Sequence, residues 1–183
     1  MKKWQLVTLI MTILLGIGIC SNHRVWAKSG SSVTMIGDSV TLGAKPALEK
    51  QLPGIKVDAK EGRQVTDAND IVDQLKQNGQ LKKTVVIGLG TNGAFTKETG
   101  QDLINRIGKH HQIYWVNVYG QGVDWQDSAD QTIRQLAKHN RNVHLINWHQ
   151  AAEHHHDWFY DDGIHLNPTG QTAFAKLVKQ NIK

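Results

Sequence analysis

The sequence predicts an α/β fold: three layers, α/β/α, around a central, mostly parallel five-stranded sheet. Three observations carry this expectation. From residue 33 onward, short β-branched apolar runs alternate with longer segments of helical periodicity, as in strands joined by crossover helices. Thr84-Val85-Val86-Ile87-Gly88-Leu89 is a continuous apolar run without alternation, as a strand covered on both faces requires. Val33-Thr34-Met35-Ile36 leads straight into Gly37-Asp38-Ser39-Val40 and then into a helix-compatible segment. That is strand, sharp turn and helix, with a serine at the turn.

Taken in order, Val33 to Ile36 reads as the first strand and Leu42 to Leu52 as a helix, broken by Pro53-Gly54. Ile55 to Ala59 reads as a strand. Asp67 to Gln77 reads as a helix with Ile71, Val72 and Leu75 on one face and Asn78-Gly79 as its stop. Thr84 to Leu89 is the third strand, Lys97 to Ile107 a helix, and Gln112 to Val118 the fourth strand. Gln126 to Lys138 reads as a helix with Ile133 and Leu136 inward, and Val143 to Ile146 as the fifth strand. A closing helix runs from Pro168 to Ile182, with proline in its first turn and Phe174, Leu177 and Val178 buried. Crossovers of this kind are right-handed, and working residues gather at the carboxyl ends of the strands. No internal repeat, low-complexity tract or second domain is visible.

The N-terminus reads differently. Lys2 and Lys3 precede an uncharged, mostly apolar run from Trp4 to Cys20, and Val25-Trp26-Ala27 fits a signal-peptidase site. Residues 1–27 are therefore expected to be a signal peptide, 28–32 a flexible lead and 33–183 the domain. The alternative is an uncleaved anchor, although the run is short beside the ~20 residues of a membrane span. Ile19 before Cys20 is large where a lipoprotein site takes a small residue. Cleavage removes three cations (Lys2, Lys3, Arg24) and no acid, so the net charge falls from +5 to +2. A charge that belongs partly to the export signal is poor ground for nucleic-acid binding. Cys20, the one cysteine, lies in the signal. The exported domain then has no disulfide, no cysteine nucleophile and no thiolate metal site.

Four stretches fall at strand ends or in the final loop: Gly37-Asp38-Ser39, Glu61-Gly62-Arg63-Gln64, Gly90-Thr91-Asn92-Gly93 and Asp161-Asp162-Gly163-Ile164-His165-Leu166. A serine needs a base to attack at neutral pH, and the base needs a group that fixes its tautomer. Asp162 and His165, three residues apart, can point the same way and supply both. An oxyanion needs preorganised donors. The Ser39 N–H at a helix start, the Gly62 N–H and the Asn92 amide are the candidates, each from the end of a different strand.

In this order, Gly37-Asp38-Ser39, Gly62, Gly90-Thr91-Asn92 and Asp162-Gly163-Ile164-His165 resemble the SGNH (GDSL-type) hydrolase family. The resemblance implies Ser39, Gly62, Asn92 and His165 as the residues that give the family its name. The fuller wording Ile36 to Val40, Gly62-Arg63-Gln64, Gly90-Thr91-Asn92-Gly93 and Asp162 to Leu166 is similar to the extracellular domain of bacterial peptidoglycan O-acetyltransferases. It covers essentially the whole chain after the signal. Many family members carry Asp where this chain has Gly93; the cell-wall subgroup shares the glycine. Those acetyltransferases also carry a large multi-span membrane domain, which this sequence does not display.

Each residue also has a plain structural reading. Ser39 can cap a helix, Asn92 and Gly62 can serve turns, Asp162 can cap a turn, and His165 can be a surface histidine. His154-His155-His156, with His149 and Asp157 nearby, invites a zinc reading. Three consecutive side chains cannot all face one ion on regular structure, and a solvated loop is expected. His110-His111 reads as a solvated helix end. Trp115, Trp125, Trp148 and Trp158 read as core or rim, with Trp158 and Tyr160 placed to line a sugar groove.

The reading is an exported serine esterase with Ser39 as nucleophile, His165 as base and Asp162 as orienting acid. No metal or organic cofactor is implied. The resemblance implies acetylated cell-wall or extracellular polysaccharide as substrate. One alternative is an O-acetyltransferase served by a separate membrane acetyl-donor protein. Another, of a different class, is a non-catalytic wall-binding module, separated by whether a small acetyl ester is hydrolysed. A monomer is expected, with no nucleic-acid partner. The secreted protein should begin at Lys28; mass spectrometry finding an intact N-terminus on a membrane-bound form would replace secretion by anchoring.

Overall fold

The computed structural model describes residues 30–182; the signal expected at residues 1–27 lies outside them. Residues 30–32 of the expected lead form a 3-10 turn. Gly30 is buried so closely on the Leu52–Pro53 backbone that a Cβ would sit 2.2 Å from the Leu52 carbonyl oxygen. This part of the lead is therefore packed rather than free.

The strands are β1 (Val33–Gly37), β2 (Lys56–Ala59), β3 (Thr84–Gly88), β4 (Gln112–Val116) and β5 (Val143–Ile146). All neighbours pair in parallel, in the order β2-β1-β3-β4-β5. Helices α1 (Ser39–Gln51), α2 (Ala68–Gln77), α3 (Lys97–Ile107), α4 (Gln126–His139), α5 (Trp148–Ala152) and α6 (Pro168–Asn181) complete the fold. The expected three-layer architecture with five parallel strands is what the chain forms.

Strand alternation divides the core in two. Val33, Met35, Val86, Tyr114 and Val116 pack with Leu48 of α1, Trp148 of α5 and Phe174 and Val178 of α6. Ile36, Val85, Ile87, Ile113 and Trp115 pack with Val72 and Leu75 of α2, Leu103 of α3 and Ile133 and Leu136 of α4. The central strands β1, β3 and β4 thus bury both faces, which explains the runs without alternation. Of the expected inward residues, Ile71 and Leu177 are half-buried at the edges of their helices.

The chain moves outward from β1 to β2, then returns across β1 to β3 and proceeds the other way. The order reverses between β1 and β3, and a crevice at such a reversal is where open α/β sheets hold their ligands. Two boundaries differ from the sequence reading in a telling way. α1 starts at Ser39, because Asp38 caps it by accepting the Val40 amide at 3.0 Å. β4 ends at Val116, because the Val118 amide turns to the Asp130 carboxylate (2.8 Å) and Asn117 donates to the same group (2.9 Å). α5 was not foreseen. It is five residues long, and its signal is a short cap in which Asn147 accepts the Gln150 amide. Among the described residues no helix is long and apolar enough to cross a membrane.

Candidate active site

Gly37 ends β1 and Gly88 ends β3, side by side. A Cβ on Gly37 would lie 2.2 Å from Thr41 Cβ, and one on Gly88 would lie 2.4 Å from Thr41 Oγ1. Only bare backbone lets the first turn of α1 sit directly on the two strand ends. Ser39 is therefore the first residue of α1, where the amide has no acceptor within the helix and carries partial positive charge. The helix cap is Asp38, so the capping role considered for Ser39 is already filled.

His165 Nε2 lies 3.0 Å from Ser39 Oγ, and His165 Nδ1 lies 2.8 Å from Asp162 Oδ2. The other Asp162 oxygen accepts the Ile164 and His165 amides, each at 2.8 Å. Desolvation pushes the Asp162 carboxyl up, but the hydrogen bonds from the Ile164 amide, the His165 ring and the His165 amide outweigh it. Asp162 is held below the ordinary carboxylate range. An ionised Asp162 accepts a hydrogen bond from Nδ1–H and so leaves Nε2 to accept from the serine hydroxyl. The loop is closed by the Phe159–Leu166 bridge and the Tyr160 amide on the His165 carbonyl at 2.9 Å. The His165 and Asp162 side chains are 46% and 48% exposed, so the site is open to bulky substrates.

The Gly62 and Asn92 loops are tied to one another and, through Arg63, to the end of β1. Gly62 has φ +69°, a conformation that favours glycine, and open space where a Cβ would be. Asn92 Nδ2 donates to the Arg63 carbonyl at 3.3 Å, and Gln64 Nε2 donates to the Asn92 carbonyl at 3.1 Å. One amide hydrogen of Asn92 is thereby used for positioning, and the second remains for a ligand.

Arg63, next to Gly62 in the sequence, has a structural role that shows only in the fold. It is 7% exposed. Its guanidinium donates to the Gly37 carbonyl (3.2 Å), the Asp58 carbonyl (2.7 Å) and the Asp58 carboxylate (2.7 Å). It ties the Gly62 turn to the end of the strand that delivers Ser39. Two indoles perform a similar service for the other loop. Trp115 Nε1 donates to the Leu89 carbonyl and Trp125 Nε1 to the Gly90 carbonyl, each at 3.1 Å, fixing the backbone that presents Asn92.

The histidine cluster disperses. His154 turns to Glu153, His155 stacks on Trp158 with ring centroids 3.8 Å apart, and His156 Nδ1 meets Gln121 Nε2 at 3.1 Å. His149 Nδ1 pairs with buried Asp130 at 2.9 Å. His111 Nδ1 lies 2.8 Å from the Lys82 carbonyl, at the opposite end of the sheet from Ser39. Among the described residues no three potential metal ligands gather. Trp158 stacks with Trp148 and His155 and borders a cavity of about 680 Å³ against α5 and α6. Tyr160 is 55% exposed.

No family model matches the chain. Over 154 residues it is 36% identical to the O-acetyltransferase OatA of Staphylococcus aureus, a match covering 84% of this chain and 25% of OatA. The C-terminal catalytic domain of Streptococcus pneumoniae peptidoglycan O-acetyltransferase A, solved with a methylsulfonyl adduct, superimposes with a TM-score of 0.73 at 26% identity. That match covers 81% of this chain and 90% of the domain. A lipolytic G-D-S-L protein from Veillonella parvula has the same fold at a TM-score of 0.67 and 12% identity, over 82% of this chain and 97% of that one. The chain is thus similar in sequence to peptidoglycan O-acetyltransferases and has the fold of the SGNH and GDSL hydrolases. It spans about a quarter of the length of the curated relatives it matches.

Beneath Ser39, Asp38 is 1% exposed and its Oδ2 has no hydrogen-bond partner among the described residues. Burial pushes its pKa up to about 6, against the pull of the Val40 and Thr41 amides and the Thr91 hydroxyl. The folded value exceeds the unfolded one, so the stability this group contributes is complete below pH 3.8 and is lost as pH rises through about 6. At ~1.4 kcal/mol per unit, wild type should lose about 3 kcal/mol relative to Asp38→Asn between roughly pH 3.5 and 7.5. Urea unfolding of both proteins across that window measures it; parallel curves would mean that Asp38 does not titrate there.

Proposed function

We propose that this domain handles O-acetyl groups on cell-wall polysaccharide outside the membrane, through an acetyl ester on Ser39. The observation that supports this reading is the hydrogen-bonded series Ser39, His165, Asp162 at 3.0 and 2.8 Å, at the reversal point of the sheet. In the proposed reaction Ser39 Oγ attacks the acetyl carbonyl while its proton passes to His165 Nε2. The tetrahedral oxyanion is held by the Ser39 and Gly62 amides and the free Asn92 amide hydrogen. Collapse breaks the bond to the sugar oxygen, which leaves with the proton from His165. Asp162 stays ionised and stabilises the imidazolium. Water, activated by the same histidine, then releases acetate.

The similarity to OatA favours a second outcome at the same intermediate, in which a glycan hydroxyl takes the place of water. Only the ratio of two rates separates them. Transfer requires an acceptor positioned well enough to outcompete bulk water, and effective molarities of ~10⁵ M or more make that possible. A transferase also needs an acetyl donor outside the cell, for which a membrane partner protein is the natural source. For the domain by itself, hydrolysis should dominate.

Ser39→Ala should lower turnover of a small acetyl ester by on the order of 10⁴-fold, and a serine-directed sulfonyl or phosphonyl reagent should label Ser39 alone. Retained activity in Ser39→Ala would overturn the reading. Asn92→Ala should cost roughly 10²- to 10³-fold in kcat, as for a single oxyanion donor. Arg63→Lys, which keeps the charge but loses the forked geometry, should lower kcat with little change in KM. Supplying an activated acetyl ester with muropeptide acceptors, and quantifying free acetate against acetylated glycan, separates the two fates. Acetate should predominate.

A further inference from the structure

Next to the Asp162–His165 loop lies a cavity of about 200 Å³ that the proposed chemistry does not use. Its floor is an aromatic pair, Tyr119 and Phe159, with ring centroids 5.3 Å apart. On one side stands Gln121, fixed twice: its amide donates to the Gly163 carbonyl at 3.0 Å, and its Nε2 meets His156 Nδ1 at 3.1 Å. The opposite rim is Tyr160 and Asp161, directly before the catalytic acid in sequence. The backbone of Tyr160 braces the loop, through its amide on the His165 carbonyl and its carbonyl under the Gly163 amide. Its ring, by contrast, is 55% exposed, one of two large apolar side chains left that open among the described residues.

We propose that this cavity is a subsite for one neutral pyranose ring of the glycan chain that carries the ester. The inference rests on the esterase reading above and adds the part of the substrate beyond the acetyl group. Size is the first argument. Drug-sized pockets begin near ~300 Å³, so 200 Å³ takes one ring and not a lipid chain or a folded peptide.

Donor and acceptor pattern is the second argument. With Gln121 Nε2 donating to His156 Nδ1, the carboxamide oxygen of Gln121 is left to accept and His156 Nε2–H is left to donate. The Asp161 carboxylate adds two further acceptors. Sugar hydroxyls both donate and accept, and match such a mixed rim. The open Tyr160 ring offers an apolar face to the axial hydrogens of a pyranose. Charge is the third argument. No lysine or arginine lines the cavity, and Asp161 stands on its rim with Asp162 beside it in sequence. A sugar acid would meet unbalanced negative charge there. Trp158 borders a different cavity, against α5 and α6; Tyr160 is the open ring that borders this one.

The test uses the native protein and chitotriose, a neutral trisaccharide without an ester. NMR titration should give saturable shifts at Tyr160 and Gln121. Tyr160→Ala should weaken binding about tenfold, the scale of one lost ring contact, and Gln121→Ala should weaken it as well. An oligogalacturonide, which is anionic, should bind more weakly than chitotriose. In kinetics, Tyr160→Ala should lower kcat/KM for an O-acetylated chitooligosaccharide by several-fold more than it lowers kcat/KM for p-nitrophenyl acetate. Absence of saturable chitotriose binding, equal binding of the anionic sugar, unaltered binding by both variants, or equal losses on the two esters would overturn the subsite. If the protein hydrolyses no ester at all, the catalytic reading falls, and the chitotriose titration still decides this one.

Discussion

The structure turns on how closely the start of α1 sits on the ends of β1 and β3. Gly37 and Gly88 carry no side chain, and Thr41 occupies the space that two Cβ atoms would fill. That contact sets the height of Ser39 above the sheet and aims the helix amides at the crevice. Any residue larger than glycine at either strand end would lift the helix. Ser39 would then leave the 3.0 Å contact with His165. The familiar look of Gly-Asp-Ser is thus a packing requirement before it is a chemical one. Glycine gives the approach, aspartate caps the helix, and serine is the first residue beyond the cap.

Around that junction three loops are held by groups that do no chemistry in the proposed reaction. Arg63 ties the Gly62 turn to the Gly37 and Asp58 carbonyls. Trp115 and Trp125 hold the carbonyls just before Thr91-Asn92. Asp130, 1% exposed, gathers Asn117, the Val118 amide and His149 at the end of β4. A buried carboxylate with several donors is costly to disturb. These strand ends are therefore each fixed by their own bond set, so the loops that follow them are held in place by the fold.

Much of this was legible in the residues themselves. Periodicity located five strands and five helices, because each buries a face whose spacing shows in the sequence. The strand-end serine and the spacing of Asp162 and His165 also show in the sequence, and the fold brings these three into one hydrogen-bonded series. What stayed hidden depended on contacts distant in sequence. Arg63 and Gly37 are 26 positions apart, and Asn117 and Asp130 are 13 apart. The true end of β4 could not be seen, since Val118 continues an apolar run and only the Asp130 carboxylate draws its amide away. The five-residue α5 is too short for periodicity to register. The stacking of Trp158 with Trp148 and His155, ten and three residues away, likewise forms only in the folded loop.

The two halves of the Ser39–His165 pair are separated by 126 positions. A ribosome reads the serine, its helix and the first three strands long before it reaches the loop with the histidine, and domains complete as units once their last segments are made. Until the final helix α6 settles on α1, the serine has no base and is an ordinary alcohol. The nascent polypeptide therefore carries Ser39 without its imidazole partner for most of its synthesis. Pairing of the two comes only with completion of the fold, and is lost with it whenever α6 detaches.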